Sequence, residues 1–132
     1  PPSPYQRGLN MATFSKVKLS GSTSGRGIKV AATATAGTAI HTAVAGASDI
    51  DEIWLYAVNI SASDVVLTLE WGGVTAVDDQ IVMTIKSYSG LVLVAPGLIL
   101  NGGLAVAAFV GLPGVATANV VTIFGYVNRI TA

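Results

Sequence analysis

His41 is the only histidine in the chain, and cysteine is absent. Ser-His-Asp catalysis and histidine-based metal sites both need the imidazole set beside defined partners, and no pattern around His41 supplies them. The expected place for His41 is therefore a strand edge or an interface. Without cysteine there is no disulfide, thiolate nucleophile or thiolate metal site. The acids offer little more. Asp64 and Glu70 fall on one face of a strand, yet six residues at about 3.3 Å each set them roughly 20 Å apart. A glycosidase pair needs about 5–9.5 Å. Asp49, Asp51 and Glu52, or Asp78 and Asp79, carry oxygens suited to calcium, but neither group has the ligand count or glycine placement of a calcium loop. Solvated turn acids are the expectation for both. Residues 21–27 (GSTSGRG) lack the spacing of a phosphate-cradling loop, and no long helix follows them. Trp54, Tyr56, Trp71, Tyr88, Phe109, Phe124 and Tyr126 suit a sugar-stacking platform, but most lie in runs that alternate through core positions, so packing is the better account. No catalytic, cofactor-binding or metal-ligating residue is expected.

The elements that would position any site read as strands. Residues 53–59 and 65–71 are rich in β-branched and aromatic side chains and flank the polar break Ser61-Ala62-Ser63-Asp64, the pattern of a β-hairpin. In the second run Val65, Leu67, Leu69 and Trp71 share one face, with Asp64, Val66, Thr68 and Glu70 on the other. The first run is apolar on both faces and is expected to be buried on both, in the middle of a sheet. Residues 13–19 read as a first strand, and residues 28–35 and 39–45 as a second hairpin joined at Ala36-Gly37. Residues 80–86 alternate with Ile81, Met83 and Ile85 inward. Residues 91–95, 98–100, 104–110 and 119–128 complete the set. No segment shows capped 3.6-residue periodicity. The expectation is an all-β, single-domain antiparallel β-sandwich or jelly roll of about eight to ten short strands over residues 12–132. Residues 1–11, with three prolines, read as an extended N-terminal arm or as a remnant of sequence upstream of Met11. Their polar start does not resemble a secretory signal.

Composition narrows the function. The chain is 52% hydrophobic and 11% charged, against about 25% charged in an ordinary soluble domain, and its mean hydropathy is +0.65. A domain of this size has too little interior to hide that surplus, so a membrane or neighbouring subunits must cover part of it. Pro96-Gly97, Asn101-Gly102-Gly103, Pro113-Gly114 and Asn119 cut the uncharged tract after Ser87 into pieces too short for a spanning helix, and no aromatic girdles mark a membrane barrel. Subunits remain. Net charge is zero, which argues against a nucleic-acid surface. Arg7, Lys16, Lys18, Arg26 and Lys29 nevertheless precede residue 30, while all seven acids lie between Asp49 and Asp79. Such blocks either pair head to tail between copies or meet within one fold.

MATFSKVKLSGSTSGRGIKVAATAT, DEIWLYAVNISAS, LEWGG, DDQI, SGLVLV, PGLIL and GYVNRI resemble a family of small virion structural proteins of tailed bacteriophages, most like head decoration (cement) proteins. The resemblance covers essentially all of residues 11–131, and its motifs are structural rather than chemical. It implies a non-enzymatic protein on the capsid exterior, made in the bacterial cytoplasm. It further implies self-association, a trimer favoured, and binding across subunits of the major capsid protein, with no nucleic acid or membrane as partner. The candidate contact residues are Leu91, Leu93, Leu104, Phe109 and Phe124 in the uncharged tract, and Pro4, Tyr5 and Arg7 in the arm. A collar, tail or fibre-base position in the virion and a lectin-like carbohydrate-binding sandwich are the rival expectations.

Overall fold

Ten residues in the middle of the chain set the layering. In Ile50–Asn59 every second side chain (Asp51, Ile53, Leu55, Ala57, Asn59) is buried, and the intervening ones are only half-buried. Side chains alternate across a strand, so this segment packs one face on a core and turns the other outward. The same logic yields nine strands among the residues described by this computed structural model, which are 12–111 and 118–132. They are β1 (Thr13–Lys18), β2 (Ile28–Lys29), β3 (Thr38–Thr42), β4 (Ile50–Asn59), β5 (Val65–Trp71), β6 (Gln80–Ile85), β7 (Val92–Leu100), β8 (Ala105–Gly111) and β9 (Val121–Thr131). The described residues contain no helix, and so none long and apolar enough to cross a membrane.

Two antiparallel sheets face each other. Sheet A has the order β1-β9-β4-β7, with β2 also paired to β9; sheet B has the order β3-β8-β5-β6. With β2 set aside, first pairs with last (β1/β9), second with seventh (β3/β8), third with sixth (β4/β7) and fourth with fifth (β5/β6). A long antiparallel ribbon wrapped into two sheets has that order, which is a jelly roll. Between the sheets lie Ile53, Leu55 and Ala57 of β4, Ile123 and Val127 of β9, Leu67 and Leu69 of β5, and Val106 and Val110 of β8. Among the described residues every buried hydrophobic side chain is Ala, Val, Leu or Ile.

Both expected hairpins are corrected. β4 and β5 belong to different sheets, and so do β2 and β3. Asn59 supplies the reason at the first crossing. Its buried amide donates to the carbonyls of Ser63 and Ile85, both at 2.9 Å, and its Oδ1 accepts from the Ser61 amide and hydroxyl. Those bonds turn residues 60–64 away from sheet A and onto the end of β6. β5 and β6 form the only hairpin of consecutive strands among the described residues. Residues 91–95 and 98–100, read as two pieces, are the single strand β7, which absorbs Pro96 through two register shifts against β4. Proline is tolerated there because β7 is an edge strand.

Candidate functional site

β4 is central in sheet A, as expected, but it is not buried on both sides. Its outward residues Glu52, Trp54 and Tyr56 stand opposite Asn128, Tyr126 and Phe124 of β9, and opposite Ile99, Pro96 and Leu93 of β7. Trp54, Tyr56, Phe124 and Tyr126, expected to pack in the core, are therefore corrected to the outer face of sheet A, while Trp71 packs against the core. The physical reason is packing volume: Ala, Val, Leu and Ile side chains already fill the space between the sheets. Trp54 and Tyr126 stack with ring centroids 6.2 Å apart and planes 10° from parallel, and Lys16 of β1 lies over the Tyr126 ring at 4.8 Å. The indole Nε1–H donates to Glu52 Oε1 at 2.7 Å, and Asn128 donates to the same oxygen at 3.1 Å. These two bonds hold the Glu52 carboxyl below the ordinary range, against a smaller opposing effect of burial. Gly97 has φ +76°, and a Cβ there would stand 2.9 Å from the indole, so the β7 backbone can lie against Trp54 only as glycine. Phe14, Leu93 and Ile99 are exposed at the margins. The result is a fixed aromatic and aliphatic platform with a polar patch at Glu52 and Asn128.

The acid–imidazole chemistry lies elsewhere. His41 is on an edge strand, β3, as expected, yet it is 2% exposed, and Asp51 beneath it is 0% exposed. The reading of Asp51 as a solvated turn acid is thus corrected. The Ser20 amide donates to His41 Nδ1 at 3.0 Å, which assigns the ring hydrogen to Nε2, donated to Asp51 Oδ2 at 2.8 Å. Arg129 grips the same carboxylate through Nε at 2.8 Å and Nη2 at 2.9 Å, and the Val44 amide adds a fourth bond at 3.0 Å. Burial raises the Asp51 pKa, but the bonds from Arg129, His41 and Val44 and the Arg129 charge outweigh it and hold the carboxyl below its usual range. Arg129 is raised in return. The Ser20 hydroxyl accepts from the Thr42 amide at 2.7 Å instead of facing the imidazole. Both oxygens of Asp51, both ring nitrogens of His41 and two of the Arg129 nitrogens are occupied in joining β3, β4 and β9, so the arrangement is a latch between the two sheets. No attacking group is aimed from it.

The remaining acids other than the exposed Asp78 are also engaged. Glu70 lies on the face of β5 opposite Val65, Leu67 and Leu69, as expected, but is 1% exposed, because residues 31–37 cover it and bind it through the Thr35 hydroxyl (2.8 Å) and the Gly37 amide (2.7 Å). Asp64 takes the Ser87 amide and Lys86, which hold its pKa down. Asp49 accepts from the Ala132 amide and Asp79 from the Thr75 amide. Among the described residues no group of three His, Cys, Asp or Glu is placed to hold a metal ion.

Of the candidate contact residues, Leu93 and Phe124 come together, flanking Tyr56 on the outer face of sheet A. Leu91 is exposed just before β7, Leu104 is exposed at the β7–β8 turn, and Phe109 is half-buried on the outer face of sheet B. Pro4, Tyr5 and Arg7 lie outside the described residues. Trp54, Tyr126, Glu52 and Asn128 were missed as a group. The available signal was that Trp54 and Tyr56 alternate with smaller aliphatics that alone suffice to fill a core. Among the described residues the basic and acidic blocks form no ion pair with each other: the pairs there are His41–Asp51, Lys86–Asp64 and Arg129–Asp51. Compared with known proteins, the chain matches no family model, no curated protein and no solved structure.

Proposed function

We propose that the chain is a non-enzymatic structural protein of a bacteriophage virion, a head decoration protein that acts in several copies and binds across subunits of the major capsid protein. The observation that carries this reading is the platform on sheet A, which no described segment covers. Hydrophobic side chains left outside a filled core need a partner of comparable size, and a stiff aromatic sheet face suits a broad protein surface better than a small molecule. The jelly roll is compatible but not decisive, since that fold serves viral capsid and lectin domains alike. Several weak contacts shared among copies would clamp a shell by avidity. The test is addition of the purified chain to phage shells stripped of decoration. Retention on shells, in clusters across the head and reduced at least about tenfold by Trp54→Ala, is the expected result. A single ring at one vertex would move the protein to the collar or tail, and no retention would end the reading.

A second reading is favoured by the same rings. Trp54 and Tyr126 beside Glu52 and Asn128 combine an aromatic face with hydrogen-bonding groups, the elements of a sugar subsite. Glycan binding that disappears in Trp54→Ala with folding intact would promote it.

A further inference from the structure

We infer that copies of this chain join head to tail, the β5–β6 turn of one copy seating in a basic trough beside β2 of the next. The contact deepens the reading above and rests on it, because it presumes that the protein works in several copies.

The trough opens where β9 loses its neighbour. β1 covers β9 from Tyr126 onward and β2 covers Thr122 and Ile123, so Phe124 and Gly125 fall in a gap between them. The glycine-rich 21–27 segment arches over that gap and leaves a recess of about 620 Å³ lined by Gly21, Arg26, Gly27, Lys29, Thr122 and Phe124. Its floor is partly aromatic and its rim is cationic. Arg26 and Lys29 are exposed, and together with Lys16 and Lys18 on the same edge they enter no ion pair among the described residues. Four uncompensated cations along one edge of a neutral protein call for an anionic partner.

The turn between β5 and β6 has the matching character. Its base is braced: the Trp71 amide bonds the Asp79 carbonyl at 2.7 Å, the Asp79 amide bonds the Thr75 carbonyl at 3.0 Å, and Asp79 Oδ2 accepts from the Thr75 amide. The tip projects Val77, 83% exposed, and Val74, 51% exposed, with exposed Asp78 beside them. Val77 sits at φ +50°, in the left-handed region that a β-branched residue rarely adopts. Strain of this kind persists where a feature is held for use; here it holds an aliphatic side chain and a carboxylate out into solvent. Valine for the Phe124 floor and Asp78 for the Arg26–Lys29 rim is a match in both shape class and sign.

Placement favours a neighbouring copy as the occupant. β6 runs into β7 through residues 86–91, so the β6 and β7 edges share a flank, while the Gly21 amide bonds the Ile40 carbonyl and ties the trough side to β3. Trough and turn thus lie on opposite flanks of the sandwich. A turn cannot reach its own trough, and two different patches meeting across copies make a heterologous contact that closes into a ring or runs on as a filament.

Sedimentation velocity on the full chain at low and high salt tests the contact. The wild type is expected to assemble, with assembly weakened by salt. Asp78→Lys and the pair Arg26→Glu with Lys29→Glu should each weaken it by about tenfold or more, and all three changes in one chain should restore it. Val77→Ser should weaken it without altering the salt response. Thermal midpoints and circular dichroism close to wild type confirm folding, which is expected because all four side chains are exposed. A monomeric wild type, or assembly indifferent to the reversals, overturns the contact. Charge-sensitive assembly in a chain that ignores phage shells supports the contact and sinks the virion reading. Shell binding untouched by the reversals, with assembly equally untouched, does the opposite.

Discussion

On the outer face of sheet B, Glu70 draws residues 31–37 down until its own carboxylate is sealed from water. On the outer face of sheet A, Trp54 and Tyr126 stack half-buried beside each other with Lys16 laid over the Tyr126 ring, and no described segment is bonded down over them as residues 31–37 are over Glu70. One face is roofed by its own polypeptide through a charged anchor, and the other is left finished but open. The difference teaches that period-two alternation reports which side chains leave the core, but not what meets them outside. An outward acid became an interior one, and outward aromatics became a surface.

The comparison can be strained first at the latch that both sheets share. Asp51→Ala leaves Arg129 and His41 without their partner, and removing one member of a buried ion pair costs about 3–5 kcal/mol. Urea unfolding should show a loss of that size. The same carboxylate sets an acid limit. Its pKa is lowered in the folded protein, so the unfolded chain binds the proton more readily. The stability it contributes is present above the ordinary carboxylate range and fades as pH falls through the folded value. An acid titration of stability should show this fall in the wild type and a smaller one in Asp51→Ala. Next, Glu70→Ala should cost about 2–3 kcal/mol, since two donors lose a charged acceptor under a roof, and it should raise hydrogen exchange at residues 31–37. Trp54→Ala should cost less, about 1–2 kcal/mol, because the ring is half in water and loses mainly its stacking. Equal costs for these two would erase the distinction between a roofed face and an open one. Smallest is Lys16→Ala, about 0.5–1 kcal/mol for an exposed cation over a ring, readable as a slight fall in thermal midpoint.

Legibility followed the range of the interaction. The inward sets Val65, Leu67, Leu69 and Ile81, Met83, Ile85 were readable because alternation is local, and the all-β class and strand count followed from them. Strand partners were not, because β4 finds β9 and β7 rather than the adjacent β5, and the cause is a side chain, Asn59, bonding residues at both near and distant positions. The latch was invisible for a related reason: Asp51 and Arg129 stand 78 residues apart. The platform was hidden by habit of inference, since aromatic residues are taken for core until the aliphatic volume proves sufficient. Charge segregation, by contrast, was visible from the residue order, and only the absence of cross-pairing needed coordinates.

β9 lies between β1 and β2 on one side and β4 on the other, yet it is made after every other described strand. A nascent chain emerges from its amino end, so the middle of sheet A is vacant until residues 121–131 leave the ribosome. Until then β4 offers a bare ladder of amides and carbonyls to any passing strand, and such long-range closure is slow. Translation that stops short of Val121 should therefore yield aggregates rather than a smaller sandwich, and holding chaperones should matter most during that interval.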